Sequence, residues 1–228
     1  MITSPIPIFP LGLVLLPGAS VPLHLFEPRY RAMLADISGS SKRFGLIAPP
    51  PATSEANLPA GRIGCIALIT EQEALPDGRA NILVEGTARF RFETYLEIGT
   101  PYRVAHIDEW TDVTDEPVAL ELAAAHLRSL ANRAIVASMT LHDIDGDPPE
   151  FDDAPATLSY QVAQLLLLDN ETLYSLLAER SPLRRIEHLD GILSERLPDI
   201  EEAAELHRQT QSDTDGDESD GRDGPRPG

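Results

Sequence analysis

The sequence predicts an α+β fold, and three observations carry that prediction. Up to about residue 112 the chain is a run of short apolar segments separated by turn residues. From about residue 113 apolar side chains recur at helical spacing, and from Gln209 onward they vanish. Strands grouped ahead of helices spell α+β rather than an alternating βαβ sheet, and many short, turn-punctuated strands suggest a barrel or a sandwich.

The strands follow in order. Ile6 to Phe9 is a short apolar segment closed by Pro10, and Val21 to Leu25 is a second. Between them Leu11 to Gly18 is apolar but broken by Gly12, Pro17 and Gly18. Proline in the first turn predicts a short helix over Pro28 to Ala35. Arg43 to Ala48 and Ile63 to Thr70 have the composition of buried strands. Pro76-Asp77-Gly78 is a turn, because proline sets φ and glycine accepts positive φ. Two further strands, Ala80 to Glu85 and Ala88 to Glu93, flank Gly86-Thr87. The second alternates, with Phe90 and Phe92 on one face and Arg89, Arg91 and Glu93 on the other. Tyr102 to Asp108 ends the series.

The helical part opens at Pro117, with Leu120, Leu127, Leu130 and Ala134 on one stripe. Asp153 is the expected cap, and Pro155 the first-turn proline, of a helix over Ala156 to Leu168. Asn170 is the expected cap of Glu171 to Glu179. Ser181-Pro182 starts a last helix carrying Leu183, Ile186, Leu189 and Leu193. Residues 209–228 hold no apolar side chain to offset ordering entropy, so they are expected to form a disordered acidic tail. The division is thus a domain over 1–208, with a β part of about 1–112 and a helical lobe of about 113–208.

Charge narrows the function. The chain has 37 acids against 18 bases, a formal net charge of −19. Such a field repels phosphate backbones and anionic membrane surfaces, so neither nucleic acid nor membrane is an expected partner. A single cysteine excludes an internal disulfide, and the opening residues lack the basic and apolar regions of a signal peptide. No apolar run is long enough to cross a bilayer, and a reducing cytoplasm is the expected location.

Few residues suggest chemistry. Cys65 follows Gly64 in an apolar strand and reads as a small buried thiol rather than a nucleophile. The six histidines are scattered, never at metal-ligand spacing with Cys65, and His24 and His106 lie on strands, either as core residues, the favoured reading, or lining a surface groove. The stretch Asp143 to Asp153 has alternating aspartates, but Gly146 is at the wrong place for a calcium loop, Ala154 stands where glutamate is needed, and Pro148-Pro149 interrupts it. It reads as a solvated loop. No metal and no cofactor is expected.

The opening segment has a physical logic of its own. Pro10, Pro17 and Pro22 pin extended backbone and Gly18 permits a tight turn. Phe26 is placed to staple back onto the first helix, with Glu27 at its positive end. Arg29 is placed to pair with Glu27 or reach a carbonyl, so Glu27, Arg29 and Tyr30 read as structural. Ile8-Phe9-Pro10-Leu11, Leu16-Pro17-Gly18 and Pro22 to Tyr30 together resemble the signature that opens the Lon substrate-binding domain. Leu75 to Arg79, Leu83 to Gly86 and Arg89-Phe90 are similar to that family's next block, in the expected order. Leu158-Ser159-Tyr160 and the Arg184 to Leu193 helix match less specifically.

The resemblance covers about residues 5–205 and implies a PUA-like β-barrel of about six strands followed by a helical lobe. In full-length Lon this domain contributes to recognising damaged or unfolded proteins and to subunit assembly. It implies here a stand-alone relative that is neither protease nor ATPase. The residues agree: a phosphate loop needs Gly-x-x-x-x-Gly-Lys, and the one lysine, Lys42, lacks that context and cannot also serve a Ser-Lys peptidase centre. The expected function is therefore non-enzymatic polypeptide binding, possible clients being non-native proteins in protein quality control. The alternative is an adaptor or assembly subunit docking on one fixed protein partner. The expected site is the cleft between barrel and helices, with Leu13, Leu15 and Leu16 as candidate contacts, because Leu11 to Leu16 is more apolar than a surface connection needs; the competing reading, favoured for each leucine singly, is that they plug the barrel end.

Overall fold

The longest strand sets the architecture. The structure, a computed structural model, describes residues 5–219, with side chains to Gln211. Its strands are β1 (Ile6–Pro10), β2 (Ser20–Leu25), β3 (Arg43–Ile47), β4 (Ile63–Ala74), β5 (Ala80–Leu96) and β6 (Arg103–Glu109). They form one sheet in the order β2-β5-β4-β3-β1-β6, which closes because β5 also pairs with β6. β5 manages this through its 17 residues. Its first half pairs with β2 (Leu25↔Ala80 to Ser20↔Glu85), and its second half with β6 (Phe90↔Glu109 to Leu96↔Val104). β4 lies antiparallel along both halves, and β1 and β3 are the one parallel pair. The expected barrel is thus a ring of five strands with β2 attached to its longest member.

The two strands expected on either side of Gly86-Thr87 are this single strand. Gly86 does not break it; it admits another backbone. A Cβ there would collide with the Leu16 carbonyl. In its absence Gly18 N donates to Gly86 O (2.7 Å) and Gly86 N to Ala19 O (2.9 Å), locking the β1–β2 connector onto β5. Gly18 itself has φ 77°, which a side chain would resist.

Helix α1 (Pro28–Ser38) buries Tyr30, Met33, Leu34 and Ile37, a one-sided stripe, and runs one turn past the expected end. Phe26 does not staple it. The residue at the fourth helical position is Arg31, which offers no apolar partner, so Phe26 remains 60% exposed. Alternation along the strands divides the core. Ile6 and Ile8 join Ile66, Phe90, Phe92, Ala105 and Ile107 in a smaller cluster. Phe9 faces the other way, into the large cluster shared with α1 and the helical lobe.

The lobe comprises α2 (Pro117–Leu141), α3 (Pro155–Leu165), α4 (Asn170–Ala178) and α5 (Pro182–Ser219). Leu127 and Leu130 of α2 are buried as their spacing requires, and Ile186, Leu189, Leu193 and Leu197 form the facing stripe of α5. Leu120 and Ala134 are only half-buried. Two caps differ from expectation by one residue. Asp169, not Asn170, caps α4 by accepting from Thr172 N (2.7 Å), which leaves the Asn170 amide to donate to Gly12 O (3.0 Å). Ala154, not Asp153, precedes α3, and its own N–H is held by Asp152 (2.8 Å). Helix α5 continues into the segment expected to be disordered, where Gln209 and Gln211 donate to Glu205 (3.3 Å) and Asp143 (2.5 Å). The remainder of the expected tail, residues 220–228, lies outside the described residues. Among the described residues no helix is long and apolar enough to cross a membrane.

Candidate functional site

Barrel and lobe meet at a cleft of about 940 Å³. Its walls come from Pro5, Ile6 and Pro7 at the start of the chain's first strand, Pro17 of the docked connector, Ile66 and Ala88 of the sheet, Trp110 just after β6, and Tyr160 of α3 from the lobe. Thr87, Arg89, Glu109, Thr111 and Asp112 supply polar atoms, as do Ser41 and Arg43.

Arg89 and Asp112 of this lining belong to a charge cluster, with buried arginines and a carboxylate 29% exposed, that ties the two parts together. Arg89 donates to the carbonyls of Leu177 (2.9 Å) and Glu179 (2.6 Å) and to Asp112 Oδ1 (2.5 Å). Arg185, on α5, meets the same carboxylate with both terminal nitrogens (2.6 and 3.1 Å) and also donates to Glu179 O and Ser159 Oγ. The two arginine side chains are 4% and 0% exposed. Two guanidiniums on one carboxylate leave an excess positive charge. The C-terminal carbonyls of α4 take it up, the negative end of a helix. Burial pulls the Arg89 guanidinium below its ordinary range, against the neighbouring Tyr160 and Asp112. The Tyr160 ring lies 4.4 Å from the Arg185 guanidinium. Its hydroxyl is buried without a partner among the described residues, and burial pushes its ionisation up to about 12. Nearby, Trp110 donates to Ala178 O (2.9 Å), and Asp115 receives Ser181 Oγ and Leu183 N at the start of α5.

A second concavity, about 470 Å³, opens on the barrel beside Phe26. Phe9, Leu11, Pro22, Leu23 and Tyr30 line it, with His24, Glu27 and Glu55 at its border. Arg29 takes Glu27 through Nε (2.8 Å) and Glu55 through both terminal nitrogens (2.6 and 3.1 Å). The pairing foreseen for Arg29 with Glu27 is therefore present, and a second acid joins it from the 3-10 turn Glu55–Asn57.

The structure separates the three candidate leucines. Leu15 and Leu16 are 1% and 2% exposed and belong to the large core, so they plug the barrel end and offer a partner no surface. Leu13 is half-buried and packs against the same core, and of the three it alone retains a surface. Close to that connector in the fold, where Asn170 reaches Gly12, the α3–α4 turn leaves Leu167 97% exposed. His24 and His106 are exposed rather than core residues, and His24 lines a surface groove, the second concavity. Their side chains fall on the outward positions of β2 and β6, and His24 Nδ1 pairs with Asn81 Oδ1 at 2.7 Å. Cys65 is fully buried, and burial pushes its thiol up to about 12, as expected of an inert core residue. The charge cluster of Arg89, Asp112 and Arg185 was not foreseen. Three residues so distant in the chain share no local pattern, and on the polar face of its strand Arg89 looks no different from Arg91.

The comparisons with known proteins follow this architecture. The family described as the ATP-dependent protease La (LON) substrate-binding domain matches residues 5–195. A Lon protease of Rhizobium meliloti (strain 1021) is 30% identical over 119 residues, which is 50% of this chain but 14% of that protein, so the chain spans a small part of this relative's length. Among solved structures, a Lon N-terminal domain protein from Xanthomonas campestris aligns with 26% identity and a TM-score of 0.56, covering 82% of this chain and 97% of that one. The N-terminal domain of a Mycobacterium avium complex Lon protease aligns with a TM-score of 0.64 over 84% of this chain and 98% of that one. At 16% identity it speaks for the fold alone.

Proposed function

The chain belongs to the Lon substrate-binding domain family, and on that premise we propose that it is a non-enzymatic polypeptide-binding module whose clients are segments of non-native proteins. The observation that carries this reading is the cleft between barrel and lobe, whose lining mixes apolar side chains with about as many polar ones, a surface on which an extended chain meets both kinds of contact. Arg89 in its lining is held by Asp112 and by carbonyls, so the cleft offers surface and positioned acceptors rather than a nucleophile with a base. The one lysine of the sequence leaves no room for both a phosphate loop and a Ser-Lys centre. The reading places the protein in the cytoplasm, in quality control, without nucleic acid or membrane as partner, as its net charge of −19 favours.

Trp110 is the one tryptophan of the chain and lines the cleft, so its emission reports on occupancy. Titration with apolar-rich peptides is expected to shift Trp110 emission saturably. Thr87→Trp, an exposed position filling the cleft, is expected to remove peptide binding measured by anisotropy. An unchanged affinity in that variant would sink the cleft as the site. A second reading, docking on one fixed partner, is favoured by Val118 and Leu122, 66% and 69% exposed one turn apart on α2. Binding of one protein at fixed stoichiometry, lost in Leu122→Glu but kept in Thr87→Trp, would select it.

A further inference from the structure

We infer that the groove beside Phe26 is a second polypeptide contact, shaped for an apolar side chain followed in the client by a basic one. This rests on the polypeptide-binding reading and adds a place and a chemistry to it. The apolar part is plain. Phe26 stands 60% exposed at the mouth, over walls made by Phe9, Leu11 and Leu23. Large aromatics left in water next to a concave apolar surface are the usual anchors of recognition.

The polar part gives the groove its sign. Glu27 and Glu55 share one guanidinium, Arg29, so one negative charge is left over, and both carboxylates remain 39% and 38% exposed. A basic side chain arriving at this border meets an attraction that solvent weakens but does not cancel. Tyr30, 3% exposed, completes the apolar wall with its ring.

The test uses the full chain and two fluorescein-labelled peptides, one with two phenylalanines followed by two arginines, the other with glutamates in place of the arginines. The arginine peptide is expected to bind more tightly, by about threefold to fivefold at low salt, and to lose that margin at high salt. Phe26→Ala is expected to weaken it by about tenfold while leaving the Trp110 response of the cleft intact. Glu55→Gln, with its melting curve checked by circular dichroism, is expected to level the two peptides. If the arginine peptide binds Phe26→Ala as tightly as the parent, the groove is not a contact, although polypeptide binding stands. Equal binding of both peptides by the parent refutes the basic preference. No binding of either, with no Trp110 shift, brings down the polypeptide reading and this inference together.

Discussion

Two arginine–carboxylate clusters with opposite arithmetic hold this molecule, and the contrast between them separates architecture from surface. At the barrel–lobe seam, Arg89 and Arg185 share Asp112, and the arginines are 4% and 0% exposed. Beside α1, one arginine, Arg29, shares Glu27 and Glu55, and all three side chains are between 32% and 39% exposed. Each arginine set lies over a tyrosine, with Arg185 and Arg29 both 4.4 Å from a ring centre. Each tyrosine carries a buried hydroxyl with no partner among the described residues. The leftover positive charge of the first cluster is turned inward onto helix carbonyls. The leftover negative charge of the second faces solvent and the groove. The carboxylates differ little, Asp112 being itself 29% exposed, so burial of the arginines decides which cluster is a clamp and which is a border.

The sharpest way to break this contrast is to remove one member of each. Asp112→Ala leaves two guanidiniums buried without their shared carboxylate, and is expected to destabilise the fold by about 3–5 kcal/mol. Chemical denaturation should show it as a lowered midpoint, with separate transitions for barrel and lobe if the clamp alone couples them. Arg29→Ala removes pairs that water screens, so its expected cost is about 1 kcal/mol. A loss for Arg29→Ala as large as that for Asp112→Ala would erase the distinction.

The smallest expected effect separates the tyrosines from their arginines. The Tyr160 ionisation is raised from about 10 to about 12 by burial, so its stabilising share is full below pH 10 and is lost as pH rises through 12. Cys65, raised from about 9 to about 12, adds a loss of the same sign that begins nearer pH 9. Tyr160→Phe removes a hydroxyl that makes no bond, and is expected to be neutral or to stabilise by about 1 kcal/mol at neutral pH. Its alkaline unfolding curve should be flatter than the parent's. A marked destabilisation at neutral pH would mean that the hydroxyl has a partner, a bound water being the first to look for.

Much of the fold was legible in the residues. Local signals placed α1, β3, β4 and the helices of the lobe, because prolines, turn residues and apolar periods act within a few positions. The disagreements lie where a distant backbone intervenes. Gly86 looks like a break between strands until the Leu16 carbonyl is seen above it. His24 and His106 sit on strands, yet which face of a strand meets water depends on what covers the other. Leu15 and Leu16 looked too apolar for a connection, and they are: the connection is part of the core.

The sequence alone determined the α+β order, the acidic character, the family signature from Ile8 to Tyr30 and the shortage of lysine that bears on catalysis. Those follow from composition and from neighbours along the chain. Only the tertiary structure decided that β5 closes the sheet by serving β2, β4 and β6, and that Arg89, Asp112 and Arg185 meet at the cleft. It alone also showed Phe26 facing water. These are long-range pairings, and their physical cause is that a strand's hydrogen bonds and a buried charge are both satisfied by whatever the fold brings near, irrespective of distance in sequence.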